Sequence, residues 1–150
     1  MTENASRFPL FVDLTGRRCV IVGGGAIAQR RAAVLSRFGA AVPVIAPTWT
    51  GGVPEVEWQA RPYAPGDLRG AFLAVAATDD RQVNRQVGEE ARRLGIPVTV
   101  ADRREECPFF FPAVCEGGGV TAGRISRQGN DHSRAAQAAR AVRQALEGLD

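Results

Sequence analysis

At 150 residues, 45% hydrophobic and 23% charged, the chain is long enough to bury a proper core and has the balance of an ordinary globular protein. All 19 basic residues are arginine, which excludes a lysine Schiff base, and the formal charge of +3 is spread among carboxylates rather than gathered in the basic stripe of a nucleic-acid binder, so an anionic small molecule suits it better. No apolar run approaches the ~20 residues that cross a bilayer, no signal-like stretch opens the chain, and three cysteines without C-x-x-C spacing argue against a disulfide framework or a zinc knuckle; a cytoplasmic protein without membrane contact is expected.

In chain order, residues 17–25 (RRCVIVGGG) read as a strand apolar on both faces that runs into glycines, as a central strand of a parallel sheet would. Residues 28–38 follow as a helix with Ala32, Leu35 and Phe38 on one face, closed by Gly39. Residues 41–46 (AVPVIA) form a second strand, in which Pro43 is awkward unless its missing N–H faces an edge or bulge. Residues 55–63 alternate Val56, Trp58 and Ala60 with polar neighbours, as a half-buried strand does, and residues 71–77 (AFLAVAA) form another buried strand. Thr78 or Asp79 caps a helix over residues 80–94 that carries Val83, Val87, Ala91 and Leu94 on one face; Gly95 ends it, and residues 97–101 make the next strand. Two strand-helix-strand units call for an α/β fold: a Rossmann-type parallel sheet with right-handed crossovers and helices on both faces.

After Cys107 the character changes. Phe109-Phe110-Phe111-Pro112 is a dense aromatic patch, residues 114–116 and 119–126 read as two strands around Gly117-Gly118, and residues 133–149 form a helix with Ala135, Ala138, Ala139, Val142 and Leu146 on one stripe. The expected organisation is a dinucleotide-binding domain over residues 1–106 and a small strand-helix segment over residues 107–150 that packs on a second copy as a homodimer.

Gly23-x-Gly25-x-x-Ala28 lies where a strand passes into a helix, the context that a dinucleotide fingerprint requires. The first glycine permits the turn, the second lets a pyrophosphate approach the backbone, and a small third residue lets helix and strand pack closely. The helix N-terminus then faces the phosphates with free N–H groups. A tight turn without a ligand is the alternative for this motif alone. The acidic residue expected at the end of the second strand is missing: Ala46-Pro47-Thr48 stands there, with no arginine for a 2′-phosphate, so the lean is to NAD over NADP.

FPLFVDLTGRRCVIVGGGAIAQRRAAVL, followed by FLAVAATDDRQVN, VTVAD and FFFPAV, closely resembles the precorrin-2 dehydrogenase family, found as a separate protein and as the N-terminal part of siroheme synthase. The pairing of the GGG-x-x-A turn with ATDD-x-x-V-N (residues 77–84) is far more specific than either motif alone. The resemblance implies oxidation of precorrin-2 to sirohydrochlorin with NAD as hydride acceptor. It further implies that Gly23, Gly24, Gly25, Ala26 and Ile27 hold the dinucleotide, that Pro47 and Thr48 contact the adenosine, and that Ala77 and Thr78 line the nicotinamide side. The family's catalytic aspartate falls on Asp102, which follows a strand at its carboxyl end, where open α/β sheets place their sites; a helix cap or turn residue is the plainer reading of the position itself.

The chain departs from the family at Thr99, where asparagine is usual, and over residues 125–132, which keep Ser126 and Gly129 but lose the threonine and the Ser-Pro pair. Arg124, Ser126, Arg127 and Arg134 are candidates for the substrate carboxylates, with a solvated basic face as the alternative; His132 reads as a surface loop residue. No metal ligand set is evident and iron chelatase activity is not expected. A non-catalytic NAD-sensing regulatory domain is the alternative from another functional class, though it gives no reason for ATDD-x-x-V-N together with FFFPA, and a degenerate scaffold of the enzyme family is the third reading.

Overall fold

Four consecutive residues with no polar side chain, Cys19–Val22, form β1, the middle strand of the sheet in this computed structural model, and all four are buried. The structure describes residues 6–127 and 132–149. The five-stranded sheet runs in the order β3-β2-β1-β4-β5, with β2 at Val42–Ala46, β3 at Val56–Ala60, β4 at Leu73–Ala76 and β5 at Val98–Val100, and every pairing is parallel. Helix α1 (Ala26–Arg37) packs on β1 and β2, and α2 (Arg81–Leu94) packs on β4 and β5. The two crossovers leave the centre in opposite directions, so right-handed connections put α1 and α2 on opposite faces. The expected α/β, Rossmann-type architecture is the one observed.

Several local expectations are corrected. β1, β3, β4, β5 and β7 are shorter than the runs expected for them, because glycine and turn residues at the flanks leave the ladder first, whereas α1 begins two residues earlier than expected, at Ala26, and β6 is one residue longer at each end. Asp80, rather than Thr78 or Asp79, caps α2: its carboxylate accepts from the N–H groups of Gln82 and Val83. Thr78 has another task, described below. Pro43 lies on neither an edge nor a bulge. Arg18 pairs with Ala41 and Ile21 with Val44 in one register, and the pairing of β1 with β2 lapses between them, where proline has no N–H to give. β3 is the half-exposed edge, with Trp58 44% exposed and its indole N–H donating to the Ala46 carbonyl at 2.9 Å.

The chain divides into two compact units, Val12–Phe109 and a second made of Met1–Phe11 with Phe110–Asp150. The expected break after residue 106 is therefore displaced, and the N-terminal residues group with the C-terminal segment. Cys107 stays with the sheet, where its Sγ accepts from the Val100 N–H at 3.1 Å, while the Arg7 guanidinium lies 4.2 Å from the centre of the Phe110 ring. In the second unit, β6 (Ala113–Gly117) and β7 (Val120–Arg124) form an antiparallel hairpin. Its two-residue turn is Gly118-Gly119, both at positive φ (55° and 74°), which suits the twist of the strands. Helix α3 (His132–Glu147) packs on the hairpin so closely that a Cβ on Gly117 would stand 3.0 Å from Leu146 Cβ. Of its predicted stripe, Leu146 is buried and Ala135, Ala139 and Val142 are half-buried, while Ala138 is exposed. No helix among the described residues is long and apolar enough to cross a membrane.

Candidate functional site

The strand order reverses at β1. β2 lies on one side and β4 on the other, with Val22 in register with Ala76, so the carboxyl ends of these strands are the switch point at which open α/β sheets form their ligand crevice. The glycine turn begins there, with the Gly23 N–H donating to the Ile45 carbonyl (3.0 Å) and the Ala77 N–H to that of Val22 (2.8 Å).

The three glycines serve different ends. Gly23 has φ 130°, and a Cβ on it would stand 2.2 Å from the Ala77 carbonyl oxygen. A Cβ on Gly24 would stand 1.9 Å from the Thr48 carbonyl oxygen. Both positions are filled by the protein's own backbone. Gly25 has an ordinary extended backbone (φ −82°) and nothing within 4 Å of the place of a Cβ. Neither conformation nor packing demands glycine at Gly25, so the space beside it suits something from outside the chain. Gly25 also begins α1 without a side-chain cap, which leaves first-turn N–H groups to meet an anion. Ala26 and Ile27 are exposed around this space, and Ala28, the small third residue of the fingerprint, is fully buried against the sheet. The residues present thus fit a dinucleotide pyrophosphate.

The flanks of the crevice are the other expected contacts. Pro47 and Thr48 are exposed just after β2, and Ala77 and Thr78 follow β4. Thr78 is locked to Asn84, a residue quoted in the motif but given no role by sequence reasoning. The Thr78 hydroxyl donates to Asn84 Oδ1 at 2.7 Å, and the Asn84 amide is wholly buried. Its signal in the sequence is a polar side chain between Val83 and Val87 on the apolar face of α2.

Asp102 stands two residues past β5, at the same end of the sheet, where the Ala101 N–H donates to the Ala76 carbonyl (2.9 Å). Its Oδ1 accepts from Arg81 Nη1 at 2.8 Å, and the other terminal nitrogen of Arg81 pairs with Glu106. Sequence reasoning missed Arg81 and Glu106. Thr99, the departure from the family pattern, is buried in β5 and directs its hydroxyl to Cys107 Sγ at 3.8 Å. Arg124, Ser126 and Arg127 belong to the other unit. Arg124 ends β7 with its Nε buried and without a hydrogen-bond partner, and Arg127 Nη2 donates to Ser6 Oγ at 3.5 Å. The expectations for Gly129 and for the side chain of His132 lie outside the described residues. Among the described residues, no three of His, Cys, Asp and Glu come together to hold a metal ion.

Comparison with known proteins agrees with this geometry. The family model NAD_binding_7, described as NAD(P)-binding, matches residues 10–113. The chain is 39% identical over 150 residues to the "Probable multifunctional siroheme biosynthesis protein HemA" of Ruminiclostridium josui, covering 96% of this chain and 29% of that protein. It is 40% identical over 147 residues to the siroheme synthase of Photorhabdus laumondii, covering 94% of this chain and 30% of the other. Among solved structures, SirC, a precorrin-2 dehydrogenase, superposes with a TM-score of 0.76 at 25% identity, over 94% of this chain and 72% of SirC. The chain belongs to this NAD(P)-binding family, and the resemblance to precorrin-2 dehydrogenases read from its motifs holds. It spans less than a third of the length of the two siroheme biosynthesis proteins.

Proposed function

We propose that this chain is an oxidoreductase that converts precorrin-2 to sirohydrochlorin with NAD, in siroheme biosynthesis. The observation that carries the reading is the open space at Gly25, bounded by two glycines that the protein's own backbone has already filled. The names of its relatives, siroheme synthase and precorrin-2 dehydrogenase, supply the substrate.

NAD would supply the hydride acceptor. The chain's own work is to bind and orient: N–H groups of Gly24, Gly25, Ala26 and Ile27 would hold the pyrophosphate, Pro47 and Thr48 the adenosine, and Ala77 and Thr78 the nicotinamide. The absence of an arginine at Ala46-Pro47-Thr48 supports NAD over NADP. Asp102 takes a proton from the substrate as conjugation extends: its Oδ1 is held by Arg81, and no described residue engages Oδ2. Arg124, Ser126 and Arg127 meet substrate carboxylates, and the unsatisfied buried Nε of Arg124 is a donor that an anionic group would complete. A cytoplasmic location and a homodimer complete the reading. The dimer is supported by Phe8, Leu10 and Phe11, which are 86%, 76% and 72% exposed in the unit that carries α3.

The test is to mix protein, precorrin-2 and NAD and to follow NADH together with the sirohydrochlorin spectrum. The two should rise in equal amounts. Binding of NAD with neither product formed would leave a cofactor-binding domain and defeat the proposed reaction.

A further inference from the structure

We infer that Arg81 is a positioning residue for Asp102, so that the junction carrying the cofactor-side loop also aims the carboxylate that takes the proton. The inference rests on the reading of Asp102 given above.

Arg81 is the first residue of α2, directly after the cap Asp80. A cation there is opposed by the helix dipole, and the neighbouring Asp80 carboxylate is already turned to the Gln82 and Val83 N–H groups as the cap, so the arginine gains nothing from the helix itself. It serves the segment after β5 instead. Nη1 reaches Asp102 Oδ1 at 2.8 Å and Nη2 reaches Glu106 Oε2, so one planar guanidinium spans two carboxylates four residues apart. The three side chains are 26–37% exposed, and pairs of that kind add little stability. What the fork does supply is direction. It fixes one oxygen of a side chain that is otherwise free to turn in a loop, and it leaves the other as the acceptor.

The base of the fork is fixed in turn. Asn84 ties the start of α2 to Thr78, and Asp80 caps the same turn. The chain from Ala77 to Asn84 is therefore a single rigid junction. One end of it lines the proposed nicotinamide side, and its middle holds Asp102.

The experiment compares Arg81→Ala, Arg81→Lys, Asp102→Ala and the double variant Arg81→Ala/Asp102→Ala, measuring kcat and KM for precorrin-2 and, separately, Kd for NAD by fluorescence titration. Arg81→Ala should lower kcat by about 10- to 100-fold, as misplacement of a reacting group does, and leave Kd for NAD unchanged. Arg81→Lys should fall between, since one ammonium cannot fork to both carboxylates. Ethylguanidinium in the buffer should restore part of the turnover of Arg81→Ala and none of that of Asp102→Ala. The double variant should be no slower than Asp102→Ala alone. Wild-type kcat in Arg81→Ala beside a dead Asp102→Ala overturns the inference and spares the reading of Asp102, as does a loss from Arg81→Ala that persists undiminished in the Asp102→Ala background. Normal turnover in Asp102→Ala removes the reading of Asp102, and the inference with it.

Discussion

Asn84 and Thr78 hold one another through a reciprocal pair of hydrogen bonds: the Thr78 N–H donates to Asn84 Oδ1, and Asn84 Nδ2 donates to the Thr78 carbonyl, each at 3.0 Å. A side-chain amide here does what a strand neighbour does elsewhere, satisfying both backbone groups of a residue that has just left the sheet. Asn84→Ala strands both groups and should cost about 2–4 kcal/mol of stability, with weaker NAD binding as the loop loosens. Asn84→Asp should recover only part, because a carboxylate accepts from the N–H but cannot donate to the carbonyl. Urea unfolding of the three proteins checks this, and a wild-type midpoint for Asn84→Ala would contradict it.

The glycine turn separates into residues that matter for folding and one that matters for binding. Gly25→Val should fold with a near-native melting temperature, since its backbone is extended and the space is open, yet bind NAD at least tenfold more weakly by filling the place of the pyrophosphate. Gly23→Ala and Gly24→Ala should instead melt well below the wild type, with Cβ atoms driven to within 2.2 and 1.9 Å of backbone oxygens. Thermal melts and NAD titrations on the three variants decide it. Unchanged NAD affinity in a folded Gly25→Val protein would refute the assignment.

Asp67 gives the fold an acid-sensitive clasp. Its carboxylate accepts from both terminal nitrogens of Arg61 at 2.8 Å and from the Ala64 N–H at 2.7 Å. The hydrogen bonds from Arg61 outweigh burial and hold the carboxyl below its ordinary range. A carboxylate lowered in this way adds stability above its unfolded-state value, near 3.8, and the contribution is lost as the pH falls through the lower folded-state value. Melting temperatures of the wild type should therefore drop more steeply than those of Asp67→Asn below about pH 4. Parallel curves for the two proteins would show that the pair does not contribute.

Light scattering at micromolar concentration should return twice the 16.0 kDa of one chain. Phe11→Asp places a charge in the exposed apolar stretch that includes Phe8 and Leu10, and should shift the mass to that of a monomer. A monomer mass for the wild type would end the dimer proposal.

Much of this was legible in the chain, for reasons that differ by residue. Cys19–Val22 showed itself as a central strand because a strand covered on both faces reads as an unbroken apolar run, here short, β-branched and ended by glycines. The glycine turn was legible because the steric demands of a strand-to-helix turn are local. The cap of α2 was misplaced by one or two positions, since Thr78, Asp79 and Asp80 offer similar oxygens and only the geometry selects among them. The bridge from Arg81 to Asp102 and Glu106 was not legible: it joins residues 21 and 25 positions apart, and ion pairs leave no periodicity. Nor does any local pattern say that residues before Val12 group with those after Phe109, because that association is made in space by contacts such as Arg7 on Phe110.

The burial of Cys19 turns the central strand into a chemical clock. The side chain is wholly enclosed, and burial pushes its thiol up to about 11, so the folded protein offers almost no thiolate to an alkylating reagent at neutral pH. Modification at this position has to wait until β1 leaves the sheet. Because the same strand runs directly into the glycine turn, any ligand seated there slows the opening that exposes the sulfur. The rate at which Cys19 is labelled thus reports occupancy of the turn without a chromophore, a turnover assay or a substrate.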